Sequence, residues 1–212
     1  MTRAQLKAMA KAQIEGKIGS LFVITLVYSL VTTVAGSIYG IGPLVSAFVI
    51  SPAITIAMTV IYLSIARFPD YRPKVSHLFE HFDKFWLSFK ITFFTSIFTA
   101  LWSLLFVIPG IIKGYSYSQA YFIAAENPEI GALEAIRRSQ QMMDGHKAEM
   151  FVLSLSFIGW YLLTPLTLGL LSIWLVPYIQ TTIANYYLYL CGYFEPVFYE
   201  TDADFQYNNQ PF

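Results

Sequence analysis

Five long apolar runs constrain this chain more than any other feature of its sequence. Each is close to the ~20 residues that an α-helix needs to cross a bilayer. They occupy residues 18–39, 43–66, 88–108, 150–170 and 172–190. Lipid offers the backbone no hydrogen-bond partners, so segments of this kind fold as helices. Only 12% of the 212 residues are charged, which is about half the share in soluble domains. The sequence therefore predicts an all-α, polytopic membrane protein.

A sixth segment at residues 109–125, PGIIKGYSYSQAYFIAA, is shorter and more polar than the others. Cytoplasmic connectors of membrane proteins are enriched in Lys and Arg, and this rule tests whether the segment crosses. If it crosses, all 13 Lys and Arg residues except Lys113 lie on one side of the membrane. If it does not, Arg137, Arg138 and Lys147 lie on the opposite side from the other basic connectors. The basic residues therefore predict six transmembrane helices.

Six spans joined by short, uncharged outer turns form three helical hairpins, and both termini then lie in the cytoplasm. We expect a single membrane domain at residues 1–194. Residues 195–212 are acidic and polar, and are predicted to form a cytoplasmic tail.

The cytoplasmic connectors are predicted to form interfacial amphipathic helices at residues 3–15, 75–84 and 128–144. For the third of these, Asn127 followed by Pro128 has the pattern of a helix N-terminus.

Several charged residues of this third connector are candidates for defined contacts. Glu134 and Arg138 are four residues apart, which is the spacing of an ion pair on one helix face. Glu126, at the end of the fourth predicted span, is either an interfacial acid or a partner of Arg137 or Arg138. Together with Lys147, the two arginines are also candidates for binding anionic lipid.

Lys113 is the one basic residue inside a predicted span, in its first turn. A cation is disfavoured there because the N-terminal end of a helix dipole is positive. One interpretation is that Lys113 extends to the outer headgroups while its stem stays in lipid. The other is that it faces a cavity and binds an anionic headgroup or a carboxylate.

Polar neighbours of Lys113 support such a cavity. Tyr117 lies on the helix face of Lys113, and Gln119 lies on an adjacent face. In the sixth predicted span, Gln180 and Asn185 are polar as well. These five residues are the candidate ligand-binding site, and the alternative is that the uncharged ones form hydrogen bonds between helices.

Several other functions are disfavoured. The formal net charge is zero, so there is no basic excess with which to bind nucleic acid. The segment HLFEH, His77 to His81, fits a zinc-protease pattern formally but lies on a short connector without a third ligand. The single cysteine, Cys191, forms no metal cluster or internal disulfide. We expect no enzyme activity, no catalytic residues, no metal and no cofactor.

Leu101 to Trp160, LWSLLFVIPGIIKGYSYSQAYFIAAENPEIGALEAIRRSQQMMDGHKAEMFVLSLSFIGW, carries several long motifs in order. They are PGIIK, SYS, the segment NP-x-x-x-ALEAI-x-RS and SFIGW, and VPYIQTTIANYY follows at Val176 to Tyr187. In these motifs the chain resembles the bacterial integral-membrane family known as domain-of-unknown-function family 975. The resemblance implies a polytopic helical protein of the plasma (inner) membrane of a bacterium, distantly similar to the membrane domain of some glycerophosphodiester phosphodiesterases. It implies no catalytic residues.

Two functions fit these observations. The first is a non-catalytic membrane module that binds lipid or an amphiphile, or assists a partner complex. The second is a small transporter or exporter subunit with a polar pathway around Lys113. We expect membrane lipids as partners, with a membrane-protein partner or a homo-oligomer as further possibilities. A water-accessible cavity around the candidate residues would favour transport, whereas a dry seam between helices would favour the first function.

Overall fold

The computed structural model describes residues 1–37, 40–167 and 169–194, and the regular structure in these ranges is entirely helical. The predicted tail at 195–212 lies outside the described residues. The helices are α1 (Arg3–Ile14), α2 (Ile18–Gly36), α3 (Gly42–Val45), α4 (Ser51–Arg67), α5 (Phe85–Leu105), α6 (Val107–Tyr117), α7 (Ala120–Glu126), α8 (Ala132–Met142), α9 (Lys147–Leu155), α10 (Ile158–Leu163) and α11 (Ser172–Leu190). A π-helical turn, Ser46–Ile50, joins α3 to α4 without a break.

Four helical segments within the described ranges are long and apolar enough to cross a membrane. They are Ile18–Gly36, Ser46–Arg67, Val75–Leu104 and Lys147–Thr167. The chain is therefore of the membrane type, as its composition predicts, and these segments correspond to four of the six predicted spans. The other two predicted spans are the divided pair α6 and α7, and the more polar α11. A six-span arrangement in three hairpins stays a prediction.

Two of the predicted spans are interrupted. Residues 109–125 fold as the end of one helix and the whole of another, with Ser118 and Gln119 between α6 and α7. Residues 150–170 are interrupted at Ser156 and Phe157, between α9 and α10. A break inside a membrane helix frees backbone groups that other side chains must satisfy.

At each break, a side chain from a helix distant in sequence forms hydrogen bonds with the freed backbone groups. At the first, the Ser139 hydroxyl of α8 donates to the Ser116 carbonyl (2.8 Å) and accepts from the Gln119 N–H (3.1 Å). At the second, Lys7 of α1 donates from Nζ to the Ser156 carbonyl (3.2 Å) and to its hydroxyl (3.0 Å). These partners are distant in sequence, so no local pattern predicts them.

The connectors differ in part from their predictions. The helix at 3–15 is confirmed as α1, which begins with a capping box between Thr2 and Gln5. The predicted helix at 75–84 is wrong, because the chain forms two short 3-10 helices there, Val75–Leu78 and Phe82–Lys84.

The predicted helix start at Pro128 is also wrong. The Asn127 side chain donates to the Ile123 carbonyl (3.1 Å) and so completes the end of α7. Helix α8 begins at Ala132, with Gly131 as its N-cap residue.

The two amphipathic helices α1 and α8 pack on the bundle with their apolar faces. Leu6, Ala10 and Ile14 of α1 are buried, as are Ala135 and Ile136 of α8. They close one end of the molecule, where α4, α7 and α11 also finish. We call this the charged end and define it by Arg67, Glu126 and Tyr187, whose side chains meet there.

The opposite end of the bundle exposes its apolar side chains. Leu104 is 84% exposed and Leu166 is 81% exposed, although both are large and aliphatic. Exposed apolar surface of this extent is expected where lipid replaces water. We call this region the apolar end.

Candidate functional site

A groove of about 560 Å³ runs along α5 and is open at the protein surface. Its volume falls within the roughly 300–1,000 Å³ range of small-molecule sites. Its lining consists of small or hydroxyl-bearing residues from α5, α6 and α7, with the C-cap of α6: Thr95, Ser96, Thr99, Ala100, Ser103, Gly114, Tyr117, Ser118 and Tyr121.

The sequence of α5 explains this lining. Thr95, Thr99 and Ser103 recur every four residues and therefore share one helix face. Near Ser103 the two helices touch, because a side chain in place of the hydrogen of Gly110 would overlap that serine. Small side chains farther along α5 leave the space beside Tyr117 unfilled.

The hydroxyl groups of the groove fall into two classes. Thr95 donates to the Ile91 carbonyl (2.7 Å) and Tyr121 donates to the Ser88 carbonyl (3.2 Å). Four others make no hydrogen bond to any residue that the structure describes, namely Ser96, Thr99, Ser103 and Tyr117. A hydroxyl without a partner is costly in an apolar environment. The groove therefore presents polar groups that are available to a ligand.

Lys113 lies beside this groove. Its ammonium is 5.0 Å from the ring centroid of Trp102 on α5, a cation–π geometry. Lys113 is adjacent in sequence to Gly114, and Trp102 is adjacent to Ser103, so both flank lining residues. Because α6 begins at Val107, Lys113 is in the second turn of its helix rather than the predicted first turn.

Gln119 has a different environment from Tyr117. It is fully buried at the break between α6 and α7, where its Nε2 donates to the Ser118 hydroxyl (3.1 Å). Its Oε1 has no partner among the described residues. Gln119 thus lies in a buried seam against α8.

The two candidates on α11, Gln180 and Asn185, differ in their solvent exposure. Asn185 is fully buried and donates to Gln13 Oε1 (2.8 Å), and Gln13 in turn donates to the Ala66 carbonyl (2.9 Å). Gln180 is exposed on the surface of α11. Of the five predicted ligand-binding residues, the structure thus brings only Lys113 and Tyr117 to the groove. A binding role for Gln119, Gln180 and Asn185 stays a prediction.

The charged end contains an ion pair that the sequence analysis missed. Arg67 of α4 pairs with Glu126 of α7, and the Tyr187 hydroxyl of α11 donates to the other oxygen of that carboxylate. Arg67 also lies over the ring of Tyr193, 5.4 Å from its centroid. Of the two alternatives for Glu126, the contact with Arg137 or Arg138 is not formed, because both arginines pair with Glu134 instead. A weak signal existed, since Arg67 and Glu126 each end an apolar segment.

The three candidates for anionic lipid all have carboxylate partners. Glu134 accepts from Arg137 (2.7 Å) and from Arg138 (3.0 Å), which confirms the predicted pair with Arg138. These hydrogen bonds lower the pKa of Glu134 to about 2. Lys147 pairs with Asp144 (3.0 Å), and that hydrogen bond lowers the pKa of Asp144. Lipid binding by these three residues stays a prediction.

The HLFEH segment is arranged for local packing. Tyr71 donates to Nδ1 of His77 (2.8 Å), and the backbone N–H of Lys74 is directed to the same nitrogen (3.3 Å). In the part of the chain that the structure describes, no three His, Cys, Asp or Glu side chains are placed to hold a metal ion.

Comparison with known proteins gives a family but no characterised relative. No curated protein and no solved structure matches the chain. The similarity to membrane domains of phosphodiesterases therefore stays a prediction. A family model described as "Protein of unknown function (DUF975)" matches residues 1–113 and residues 104–192. Since these matches extend over most of the sequence, the chain belongs to the DUF975 family.

Proposed function

We propose that this protein is a non-catalytic membrane module that binds an amphiphile in the groove along α5, α6 and α7. One observation carries the proposal: the hydroxyls of Ser96, Thr99, Ser103 and Tyr117 have no partner among the described residues, in an apolar setting. A bound molecule with hydrogen-bonding groups satisfies them.

The surroundings of the groove support an amphiphile as the ligand. Its open side gives access from lipid, and neighbouring Leu101 and Leu104 are exposed and apolar. Lys113 supplies a cation beside it, held over Trp102. A molecule with an apolar chain and an anionic or hydrogen-bonding head matches both parts of this surface.

A transporter subunit is the second candidate, and the broken segments favour it, because discontinuous helices form many transport sites. A pathway through Gln119 and Asn185 requires that both reach water, whereas both are fully buried. Each amide nitrogen donates one hydrogen bond, and each amide oxygen has no partner among the described residues. Binding without transport is therefore the better supported function. A helix of a membrane partner or of a second copy is the alternative occupant of the groove.

The proposal includes an orientation. Basic residues gather on the connectors at the charged end, so we place this end and both termini in the cytoplasm of a bacterium, with the bundle in the plasma membrane. Single cysteines at Gln141 and Gly40, in a Cys191→Ser background, should be labelled from opposite sides of the membrane. Labelling from the same side would contradict this orientation.

A matched pair of substitutions tests the groove. Ser96 and Ser29 are both exposed serines on apolar helices, but only Ser96 lines the groove. Ser96→Leu should fill it and remove a retained lipid-like adduct from the native mass spectrum of the gently purified protein. Ser29→Leu should leave the adduct unchanged.

Other results would contradict the binding of an amphiphile or favour a different function. If wild type and both variants carry the same adducts, or if wild type carries none after extraction in several mild detergents, the groove does not bind an amphiphile. If Ser96→Leu instead changes only the oligomeric state, a second copy occupies the groove. Uptake into vesicles that depends on the protein would favour transport.

A further inference from the structure

The groove is lined by side chains of one chemical kind. Seven of the nine described residues that line it carry a hydroxyl group, and none of the nine carries a charge. The other two, Ala100 and Gly114, have no polar side-chain atom. A hydroxyl both donates and accepts hydrogen bonds, whereas an ammonium only donates and a carboxylate only accepts. The groove therefore offers both donors and acceptors to a ligand.

The cation of Lys113 is beside this lining and not part of it. Its ammonium lies 5.0 Å from the ring centroid of Trp102, and neither residue lines the groove. An anionic head in the groove would meet hydroxyl groups but no positive charge of the lining. Removing a charge from water without an opposite charge costs far more than removing an uncharged hydroxyl. The lining consequently favours an uncharged head.

The free hydroxyls are spread along the groove. Those of Ser96, Thr99 and Ser103 extend over roughly 10 Å of α5, at 1.5 Å per residue. Tyr117 of α6 lines the same groove, and none of the four has a hydrogen-bond partner among the described residues. A head with one polar group can satisfy only part of this row. A head with several hydroxyls can satisfy it along its length.

Tyr117 adds a fixed aromatic surface. Its ring packs against Phe98, with 6.2 Å between the centroids, and the residue is only 7% exposed. A packed tyrosine combines a flat apolar face with a hydroxyl group. Sugars and other polyols carry C–H groups next to their hydroxyls, so they match both parts of such a side chain.

We propose that the ligand of the groove is an amphiphile with an uncharged polyol head, such as a glycolipid with a neutral sugar. This inference rests on the proposed function of the groove and specifies the chemical class of its ligand. The groove is open at the surface, and neighbouring Leu101 and Leu104 are exposed and apolar. The acyl chains can therefore stay in lipid while the head lies among the hydroxyls.

Three lipids with identical acyl chains test the inference: diacylglycerol, phosphatidic acid and glucosyl diacylglycerol. Their binding to the full-length protein is compared by native mass spectrometry in an amine-oxide detergent, which has no hydroxyl group that could compete. We expect the glucosyl lipid to bind about tenfold more tightly than the other two, because each added hydrogen bond strengthens binding about two- to tenfold.

Two conservative substitutions test whether the sugar lies in the groove. Thr99→Val and Tyr117→Phe each remove one hydroxyl and should weaken binding of the glucosyl lipid about fivefold. Their effect on diacylglycerol should be smaller. Thr32→Val is the matched control, since Thr32 bonds its own helix outside the groove, and it should leave all three affinities unchanged.

Phosphatidic acid that binds as tightly as the glucosyl lipid would overturn the inference and leave the groove as a site for amphiphiles. If Lys113→Met then abolished that binding, the head would be anionic and Lys113 its partner. An undiminished preference for the glucosyl lipid in both Thr99→Val and Tyr117→Phe would place the sugar outside the groove and also overturn the inference. If none of the three lipids binds, the proposed function fails, and this inference fails with it.

Discussion

The charged end and the groove both contain polar side chains, but the two regions differ in whether these side chains have hydrogen-bond partners. At the charged end, Glu126 accepts from Arg67 and Tyr187. In the groove, hydroxyls such as that of Tyr117 have no described partner. Buried polar groups with partners contribute stability, whereas polar groups without partners are available for binding. Substitutions in the two regions should therefore affect different properties.

Glu126→Gln should have the largest effect on stability. It removes the charge that Arg67 faces, and loss of one partner of a buried ion pair costs about 3–5 kcal/mol. Because both side chains are about one-fifth exposed (19% and 20%), we expect roughly 2 kcal/mol. Denaturant unfolding in mild detergent measures it. Glu134→Gln, in an exposed pair, is the control, and equal effects of the two changes would contradict a structural role for the charged end.

Ser139→Ala should come next. It leaves the Ser116 carbonyl and the Gln119 N–H unpaired in a buried break, at a cost of about 1.5 kcal/mol, towards the lower end of the range for unpaired buried groups. The same denaturant series measures it. Ser154→Ala is the matched control, because among the described residues that hydroxyl bonds only the Met150 carbonyl of its own helix (2.9 Å). If both alanine variants unfold alike, α8 does not stabilise the break.

Lys7→Met should have a smaller effect, of about 1 kcal/mol. It removes the hydrogen bonds to Ser156 and the cation over the Phe157 ring (4.2 Å from its centroid), while methionine keeps an apolar stem. Hydrogen exchange at the break between α9 and α10 should increase. Unchanged exchange in Lys7→Met relative to Lys11→Met would indicate that the second break is stable without α1.

Thr99→Val should change binding and leave stability within about 0.5 kcal/mol, since the side chains have the same shape and the hydroxyl has no described partner. The retained adduct in native mass spectra should decrease. Thr32→Val on α2 is the control, because Thr32 bonds its own helix (2.9 Å to the Tyr28 carbonyl) outside the groove. If Thr99→Val lowers stability and leaves binding normal, the groove hydroxyls contribute to stability rather than to binding.

The pH dependence of the exposed pair should be the smallest effect. The pKa of Glu134 is lowered from 4.5 to about 2, so its ion pairs with Arg137 and Arg138 stabilise α8 fully above pH 4.5. This contribution is lost as the pH falls from 4.5 towards 2. The difference in melting temperature between wild type and Glu134→Gln should therefore shrink across this interval. A difference that is constant down to pH 2 would contradict the assigned pKa.

The sequence predicted long apolar helices well and their interruptions poorly. Residues 172–190 fold as α11 with the predicted bounds, and the run at 18–39 corresponds to Ile18–Gly36. Hydropathy detects such segments because lipid acts on every residue of a span. The breaks at Ser118 and Ser156 depend instead on Ser139 and Lys7, which only the tertiary fold brings near.

The sequence predicted only part of the candidate site, because it shows polarity along one helix but not the packing between helices. Tyr117 and Lys113 were found because a polar stripe in an apolar segment is visible along one helix. The hydroxyls of α5 recur every four residues and were also visible, but their importance depends on the neighbouring α6. Gln119 and Asn185 have the same polarity in the sequence, and only packing shows that they are sealed in seams.

The hydrogen bond between Gln13 and Asn185 has a consequence for how the protein is made. The two residues are 172 positions apart, and ribosomes extend a chain by about 5–20 residues per second, so α1 waits roughly 10 to 30 seconds for its partner. During that time α1 can contact α4, where Gln13 donates to the Ala66 carbonyl, but the part of its apolar face that packs on α11 must be sheltered by lipid or by an insertion factor. The first helix to emerge is thus among the last to complete its packing. If translation stops before α11 is made, α1 lacks the helix on which it packs.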